Sequence, residues 1–139
     1  MTTQSESSHL PRGAVVGHGV DVVDVDAFSR LLETYAQFAS PHFTSVELAE
    51  VGESGNKSER LAGRFAIKES VMKALGVGWG DGVAFTDIEV GADRLGAPTV
   101  QLRRKLLDLQ NQRSITRWSV SASHAGGIAI ASAIALSDV

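Results

Sequence analysis

The sequence of 139 residues contains no cysteine, which excludes disulfides, thiolate metal sites and cysteine nucleophiles. It also lacks any apolar run close to the roughly 20 residues that a membrane-spanning helix needs. Its formal net charge of −3 argues against a general electrostatic affinity for nucleic acid or anionic membranes. The first residues, MTTQSESSHLPRG, show no basic segment followed by an apolar stretch, as a secretory signal would. We therefore expect a cytoplasmic protein that binds neither nucleic acid nor membranes.

What is present is the composition of an ordinary globular domain. Hydrophobic residues make up 43% of the chain and charged residues 21%. This balance supplies a core and is too apolar for a disordered chain. Because a chain of this length favours one domain, we predict a polar, flexible tail at residues 1–13 and one folded domain at residues 14–139.

Hydrophobic periodicity predicts a mixture of helices and strands. The predicted strands cover residues 14–25, 83–90 and 98–102 and both arms of a final hairpin turning at Gly126–Gly127; the predicted helices cover residues 26–39, 43–51 (capped by Thr44 and Glu47), 58–75 and 103–113. Hairpin-like connections between strands indicate an α+β fold. We expect a mostly antiparallel sheet packed with a long central helix and shorter helices.

The first strand and the first helix each give a further structural expectation. Alternation along the strand places His18 on one valine-rich face and Asp21 on the other. We expect His18 to be a core histidine, whereas a carboxylate at position 21 must find a partner or reach the strand's edge. In the helix, an apolar stripe from Phe28 to Phe38 sets the length, and Pro41 is expected to end it.

The segment GRFAIKESVMKALG, residues 63–76, predicts a helix with charges among core residues. Phe65, Met72 and Leu75 belong to its apolar face. The charged side chains, which lie close to that face, are Arg64, Lys68, Glu69 and Lys73.

Asp21 and Glu69 are carboxylates in apolar segments, and their positions allow two interpretations. If they meet, their charges repel, and a hard cation such as Mg²⁺, which takes one or two protein carboxylates, would remove the conflict. Alternatively, Asp21 pairs with a lysine and Glu69 pairs with Lys73 four residues further on. Spacing alone favours the ordinary ion pairs.

The cations near Glu69 suit a phosphate-rich ligand, but a solvated helix face with charge pairs is the commoner explanation. GVGWGDG, at residues 76–82, lacks the lysine of a P-loop, and GHGVDV is followed by strand instead of helix, which excludes a dinucleotide fingerprint. The serines before His124 form no nucleophile elbow, so a Ser-His hydrolase is disfavoured. From the residues alone, the sequence predicts a small domain with a candidate carboxylate–Mg²⁺–phosphate site.

Three segments in this order and spacing resemble one known family. GHGVDVVDVDAF resembles the first strand, RFAIKESVMKALG the central signature and SVSASHAGGIAIA the closing segment of small holo-[acyl-carrier-protein] synthases. The pattern K-E-x-x-x-K-A-[LW] is shared by 4′-phosphopantetheinyl transferases generally. FTSVEL and GAPTVQL fit the same family less specifically. The resemblance covers roughly residues 14–136.

The resemblance implies a Mg²⁺-dependent enzyme of fatty acid or polyketide-type biosynthesis. It would move 4′-phosphopantetheine from coenzyme A to a serine of an apo acyl carrier protein and release adenosine 3′,5′-bisphosphate. It also implies a homotrimer with active sites at the subunit interfaces, where His124 serves a neighbour's Glu69. The matching positions imply Asp21 and Glu69 as metal ligands and, with Lys73, as catalytic residues; they imply Arg64, Lys68, Lys73, Gly76, Pro98 and His124 as coenzyme A contacts.

The sequence departs from the family's pattern at Ser70, Met72 and Val77, which concerns individual phosphate contacts. The first helix offers Arg30 but also Glu33, where the family often has a basic face for its acidic carrier. We therefore hypothesise a dedicated carrier protein, or a carrier contact at Lys57 and Arg60. The alternative function is a catalytically silent relative that binds coenzyme A or scaffolds a larger synthase.

Overall fold

The computed structural model describes residues 13–53, 55–78 and 80–139, so the predicted tail lies outside the described residues except for Gly13. In chain order the elements are β1 (Ala14–Asp24), α1 (Val25–Thr34), α2 (Ala39–His42), α3 (Ser45–Val51), α4 (Lys57–Leu75), a 3₁₀ turn (Phe85–Asp87), β2 (Ile88–Ala92), β3 (Pro98–Leu102), α5 (Arg104–Gln112), β4 (Arg117–Ala125) and β5 (Ile128–Ser137).

Two antiparallel sheets and the long helix α4 make up the architecture. The larger sheet has the strand order β1-β5-β4, and β2 pairs with β3. The final hairpin turns at Gly126 and Gly127, whose φ angles of 58° and 79° suit glycine. The predicted α+β fold with a mostly antiparallel sheet and a long central helix is confirmed. Within the described residues, no helix is long and apolar enough to cross a membrane.

Helix α4 packs unusually close to β1 because glycines face it. A Cβ atom on Gly17 would lie 2.1 Å from the carbonyl oxygen of Ala74, and one on Gly19 would lie 1.9 Å from that of Ser70. Small residues continue this contact on β5, where Ala131 and Ala133 are buried. The two glycines of the GHG segment therefore set the distance between the helix and the sheet.

The first helix is shorter than predicted. Helix α1 ends at Thr34, and Tyr35 is extended (φ −115°, ψ 101°) and exposed. Phe38 lies beyond this break, with its ring centroid 5.7 Å from that of Phe28 in an edge-on contact. Pro41 lies inside the short helix α2 and ends no longer helix. The expectation of one helix over residues 26–39 was wrong, because the stripe's last aromatic ring reaches the core from a separate element.

Two other expectations need correction. The strand predicted to start at residue 83 starts at Ile88, because Asp87 accepts a hydrogen bond from the Ala84 N–H and closes a 3₁₀ turn. His18 is exposed instead of buried. Its strand turns the glycine-containing face toward α4, so His18 and its cross-strand neighbour Ile134 lie on the opposite face.

That opposite face of the larger sheet is apolar and open in the single chain. Val22 is 56% exposed and Ile130, its partner in register on β5, is 42% exposed. Val20 and Ile128 are also exposed on this face. A run of adjacent apolar side chains of this kind is typical of a surface that another protein covers.

Candidate active site

Helix α4 presents two groups of candidate residues on different sides. Glu69 lies on the stripe that contains Phe65 and Met72, and Arg64 lies on a stripe with Arg60 and Ile67. With about 3.6 residues per turn, Arg64 and Glu69 point roughly 140° apart around the helix axis. Burial of Leu61, Val71 and Leu75 anchors the helix in the core and so fixes both directions.

The structure brings Asp21 and Glu69 together. Both line one open cavity of about 390 Å³, which is bounded by β1, α1 and α4. Asp21 reaches it from the face of β1 that packs against α4, and Glu69 reaches it from α4 itself. Phe28, Leu31 and Phe65 provide the apolar wall of this cavity.

The environment of Glu69 disfavours its charge. Burial raises the pKa of the Glu69 carboxyl, and the nearby negative charge of Asp21 raises it further, while Lys73 acts in the opposite direction. The two carboxylates therefore repel each other in the protein alone. Such a pair is the arrangement that a divalent cation would stabilise.

Lys73 pairs with Asp21 instead of Glu69. Its Nζ lies 3.0 Å from Oδ1 of Asp21 and donates to the carbonyl oxygen of Val20 at 3.1 Å. The ordinary interpretation of Asp21, a lysine partner, is thus confirmed, whereas the expected Glu69–Lys73 ion pair is not among the ion pairs of the described residues. Because the Lys73 side chain is 53% exposed, its ammonium also faces solvent beside the two carboxylates.

Lys68 is not at this site. Its side chain is fully buried, and its Nζ donates to Oε1 of Glu47 at 2.6 Å and to the carbonyl oxygen of Phe85 at 3.0 Å. Burial lowers the pKa of Lys68, and the hydrogen bond and charge of Glu47 oppose that shift. The structure therefore places Lys68 apart from the other predicted coenzyme A contacts, and its predicted contact with the phosphates stays a prediction. Its ammonium group is committed to an internal ion pair.

Glu47 is the hub of that internal network. Besides Lys68, its Oε1 accepts from the Thr44 N–H at 2.7 Å, which completes the predicted capping box of α3. Its Oε2 accepts from the Val90 N–H at 2.7 Å. One buried carboxylate thus joins α3, α4 and β2, and Lys68 supplies the cation that its burial requires.

We expect Lys68→Met to destabilise the fold by about 3–5 kcal/mol, because it leaves the Glu47 carboxylate buried without a cation. Urea unfolding measures this. The matched control is Lys57→Met, which removes an exposed pair with Glu53 and should cost at most about 1 kcal/mol. A stable Lys68→Met protein with greatly weakened coenzyme A binding would return Lys68 to the ligand site.

A second cavity lies on the other side of α4 and gathers the remaining candidates. It measures about 350 Å³, and its lining includes Arg64, Gly96, Pro98 and His124. The turn before β3 and the end of β4 thus meet the helix here. Nδ1 of His124 lies 3.4 Å from Oε1 of Glu59 on the same cavity wall.

Arg64 has unused hydrogen-bonding capacity at this cavity. Its side chain is 15% exposed, and its nearest carboxylate, Glu50, lies 3.7 Å away. Its Nε is buried with no hydrogen-bond partner among the described residues. An anion in the cavity would satisfy a guanidinium held in this way.

Gly76 ends α4 and lines neither of these two cavities. It adopts a left-handed conformation (φ 70°), and its N–H donates to the carbonyl oxygen of Lys73 at 3.1 Å. Gly76 therefore turns the chain away from the helix axis directly after the last helical turn, which contains Lys73. Its predicted contact with coenzyme A stays a prediction.

Comparison with known proteins identifies the family of this chain. Residues 17–133 match the sequence model of the 4′-phosphopantetheinyl transferase superfamily. The chain belongs to this superfamily. A holo-[acyl-carrier-protein] synthase of Solibacter usitatus is 37% identical over 121 residues, covering 86% of this chain and 97% of the relative. The resemblance to the small synthases of this superfamily is confirmed.

Solved structures show the same fold. The holo-[acyl-carrier-protein] synthase of Neisseria meningitidis matches with a TM-score of 0.80 and 33% identity over 88% of this chain and 98% of its own. The enzyme of Helicobacter pylori, solved in complex with coenzyme A, matches with a TM-score of 0.73 and 28% identity over 85% of this chain and 98% of its own. The fold is thus one on which a relative binds coenzyme A.

Sequence reasoning missed two residues near the site. Glu47 was identified only as a helix cap, because nothing local indicates that its carboxylate also meets Lys68, 21 residues away. His42 received no interpretation, yet it lines a cavity together with Glu69. A histidine between Pro41 and an apolar residue gives no periodic signal that would reveal this position.

Proposed function

We propose that this protein transfers 4′-phosphopantetheine from coenzyme A to a serine of an apo acyl carrier protein, with adenosine 3′,5′-bisphosphate as the second product. The observation that supports this most is the shared cavity of Asp21 and Glu69 with the Lys73 ammonium beside it. Family membership supplies the reaction class. The arrangement supplies acidic and basic groups at a single point, as phosphoryl transfer requires.

Mg²⁺ fits the donors at this point. No group of three or more His, Cys, Asp or Glu side chains that could hold a metal occurs in the described part of the chain. Mg²⁺ commonly uses only one or two carboxylates and completes its shell with water and substrate phosphate. Asp21 and Glu69 would be those ligands. When bound, the ion would withdraw charge from the pyrophosphate and so favour attack at phosphorus.

The protein's own residues supply position and charge. Lys73 would move its ammonium from Asp21 toward the phosphates, since it is half-exposed and tethered to β1 only by hydrogen bonds. As the serine oxygen bonds to phosphorus, the bond to the bridging oxygen breaks and the serine gives up its proton. Glu69, acting through a water molecule, is one acceptor that the site offers.

The nucleotide end of coenzyme A would occupy the cavity of Arg64, Pro98 and His124. The buried Nε of Arg64, which has no hydrogen-bond partner in the described part of the chain, supports an anionic ligand there, such as the 3′-phosphate. His124, which is 61% exposed, would contact the same end of the ligand.

A homotrimer would join the two cavities into complete sites. They lie on different sides of α4 within one chain, so a neighbouring copy is the simplest source of the second half of each site. The open apolar face of β1 and β5 offers a surface for such a neighbour. In this arrangement the His124 cavity of one copy lies beside Glu69 of the next.

The carrier protein would approach across α1. Arg30 and Glu33 carry opposite charges on this helix, and Lys57 and Arg60 already hydrogen-bond Glu53 and Val51 within the protein. This favours a dedicated carrier over a general acidic one. Comparable transfer rates on several unrelated carriers would contradict a dedicated partner.

We also propose, from the sequence, a pathway of fatty acid or polyketide-type biosynthesis and a cytoplasmic location.

Intact-mass measurement of the carrier tests the function. Incubation of apo carrier protein with the enzyme, coenzyme A and Mg²⁺ should add one phosphopantetheine group to the carrier. Omission of Mg²⁺ or coenzyme A is the control. Coenzyme A binding without any change in carrier mass would favour the catalytically silent alternative.

Metal binding should depend on pH through Glu69. Burial and Asp21 raise the pKa of Glu69 in the folded protein, so its protonation stabilises the metal-free fold, and this stabilisation is lost as the pH rises through that raised pKa. Mg²⁺ requires the ionised form, so its binding should release protons and weaken as the pH falls through the same range. Calorimetry in buffers of different ionisation enthalpy measures the released protons. Glu69→Gln should abolish the release, and an unchanged release would contradict the assignment.

A further inference from the structure

Two cavities share Glu69, and they differ in shape and chemistry. The open one contains Asp21 and faces α1. The other, of about 440 Å³, is more enclosed and mostly apolar, and it is lined by Pro41, His42, Glu69, Met72, Gly78, Val83, Ala84 and Phe85. Enclosed apolar cavities with a few polar groups are typical binding sites for small molecules.

His42 is held rigidly in the wall of the enclosed cavity. Its ring stacks on Phe38 with a centroid distance of 4.3 Å and an interplanar angle of 18°. The rings of Phe65 and Phe85 lie 5.9 Å and 4.9 Å from it. Such packing on several sides fixes the plane of the imidazole.

Hydrogen bonding determines what His42 can offer a ligand. Its Nδ1 lies 2.7 Å from the carbonyl oxygen of Phe38, which can only accept, so Nδ1 carries the proton of that bond. In the neutral ring, Nε2 is therefore the acceptor. Among the described residues, no hydrogen bond to Nε2 is recorded. The cavity thus has a mostly apolar wall to which His42 adds an acceptor of fixed orientation besides the Glu69 carboxylate.

The chemistry of the donor decides which substrate fits which cavity, and this step rests on the proposed function. The pantetheine arm is attached to the phosphate that is transferred. With that phosphate beside Glu69, the arm must start next to Glu69 and extend into a neighbouring space. A folded carrier protein is too bulky for the enclosed cavity, so the open cavity suits it better. The arm is slender, with methyl groups for an apolar wall and amide N–H and hydroxyl groups that can donate to an acceptor.

We propose that the enclosed cavity holds the pantetheine arm of coenzyme A and that Nε2 of His42 accepts a hydrogen bond from it. His42 is then a substrate-binding residue that selects donors with this arm. The open cavity remains for the carrier serine, which places the two substrates on either side of Glu69.

Comparison of two ligands tests this assignment on the full-length protein with Mg²⁺. Coenzyme A has the arm, whereas adenosine 3′,5′-bisphosphate has only the nucleotide end. His42→Phe keeps an aromatic ring for stacking and removes the acceptor, so it should weaken coenzyme A binding about 5- to 10-fold, as expected for one lost hydrogen bond. Binding of the bisphosphate, which also reports on folding, should stay within about 2-fold of the original value.

A second variant fills the enclosed cavity itself. Val83→Trp places a large ring in the space of the arm and should weaken coenzyme A binding more than His42→Phe does, again without affecting the bisphosphate. Unchanged coenzyme A affinity in both variants, or equal weakening of both ligands, would overturn the proposal. If the original protein transfers phosphopantetheine and these variants bind coenzyme A normally, only this inference fails. If the original protein transfers nothing, the proposed function fails.

Discussion

Replacing Glu69 with glutamine should reduce phosphopantetheine transfer by about 100-fold or more while leaving the fold intact. Glutamine keeps the size of the side chain but removes the charge that would hold Mg²⁺ beside Asp21. Even outer-shell partners of metal ligands typically account for about 10–100-fold, so loss of a ligand should exceed that range. Carrier mass measured over time gives the rate.

The stability of the same variant provides an independent readout. Because burial and Asp21 raise the pKa of Glu69, its negative charge destabilises the metal-free protein at neutral pH. Glu69→Gln should therefore melt at the same or a higher temperature than the original protein, and added Mg²⁺ should stabilise it less. Glu53→Gln, on the exposed side of the molecule, is the matched control and should change neither transfer nor Mg²⁺ binding. Near-normal transfer by Glu69→Gln at saturating Mg²⁺ would contradict the metal assignment.

The substitution Gly19→Ala should destabilise the fold by about 3 kcal/mol or more, since its Cβ has no space between β1 and α4. The added atom would lie 1.9 Å from the Ser70 carbonyl oxygen and 2.8 Å from the Ala74 nitrogen. Both are backbone atoms, so only a shift of the whole helix relieves the contact. Denaturant unfolding measures the loss.

Gly63→Ala is the matched control within α4. A Cβ there would have no other described atom within 4 Å outside the helix's own backbone, so alanine should stabilise the helix by about 0.5–1 kcal/mol. A Gly19→Ala protein as stable as the original would show that the close approach of helix and strand is not required. Since α4 positions Glu69, a shifted helix should also lower transfer in whatever fraction of Gly19→Ala folds.

The close approach of β1 and α4 at Gly19 illustrates what the sequence could and could not predict. Periodicity predicted α4 to within one residue at its start, and the Gly126–Gly127 turn and the Thr44 cap followed from local chemistry. These features depend on neighbours in the chain. The contact of Gly19 with Ser70 joins residues far apart, so the GHG segment looked like part of an ordinary strand.

The same limit explains the errors at the site. Alternation along β1 separates His18 from Asp21 but does not say which face α4 covers, so His18 was placed in the core. Helical spacing put Lys68 close to the other cations, yet its direction depends on Glu47 in another helix. Asp21 and Glu69 line one cavity, although spacing alone favoured separate ion pairs for them; only the resemblance to the family placed them at one site.

Mixing of two inactive variants tests most directly whether active sites combine residues from two copies of the chain. Glu69→Gln lacks the metal half of the site, and Arg64→Ala lacks the nucleotide half, but their mixed assemblies contain interfaces with both halves intact. Random association should restore about a quarter of the original transfer activity, as judged by carrier mass. Glu69→Gln mixed with Asp21→Asn, which affects the same half, should restore none. Mixed assemblies verified by native mass spectrometry that stay inactive, or a fully active monomer, would contradict the account.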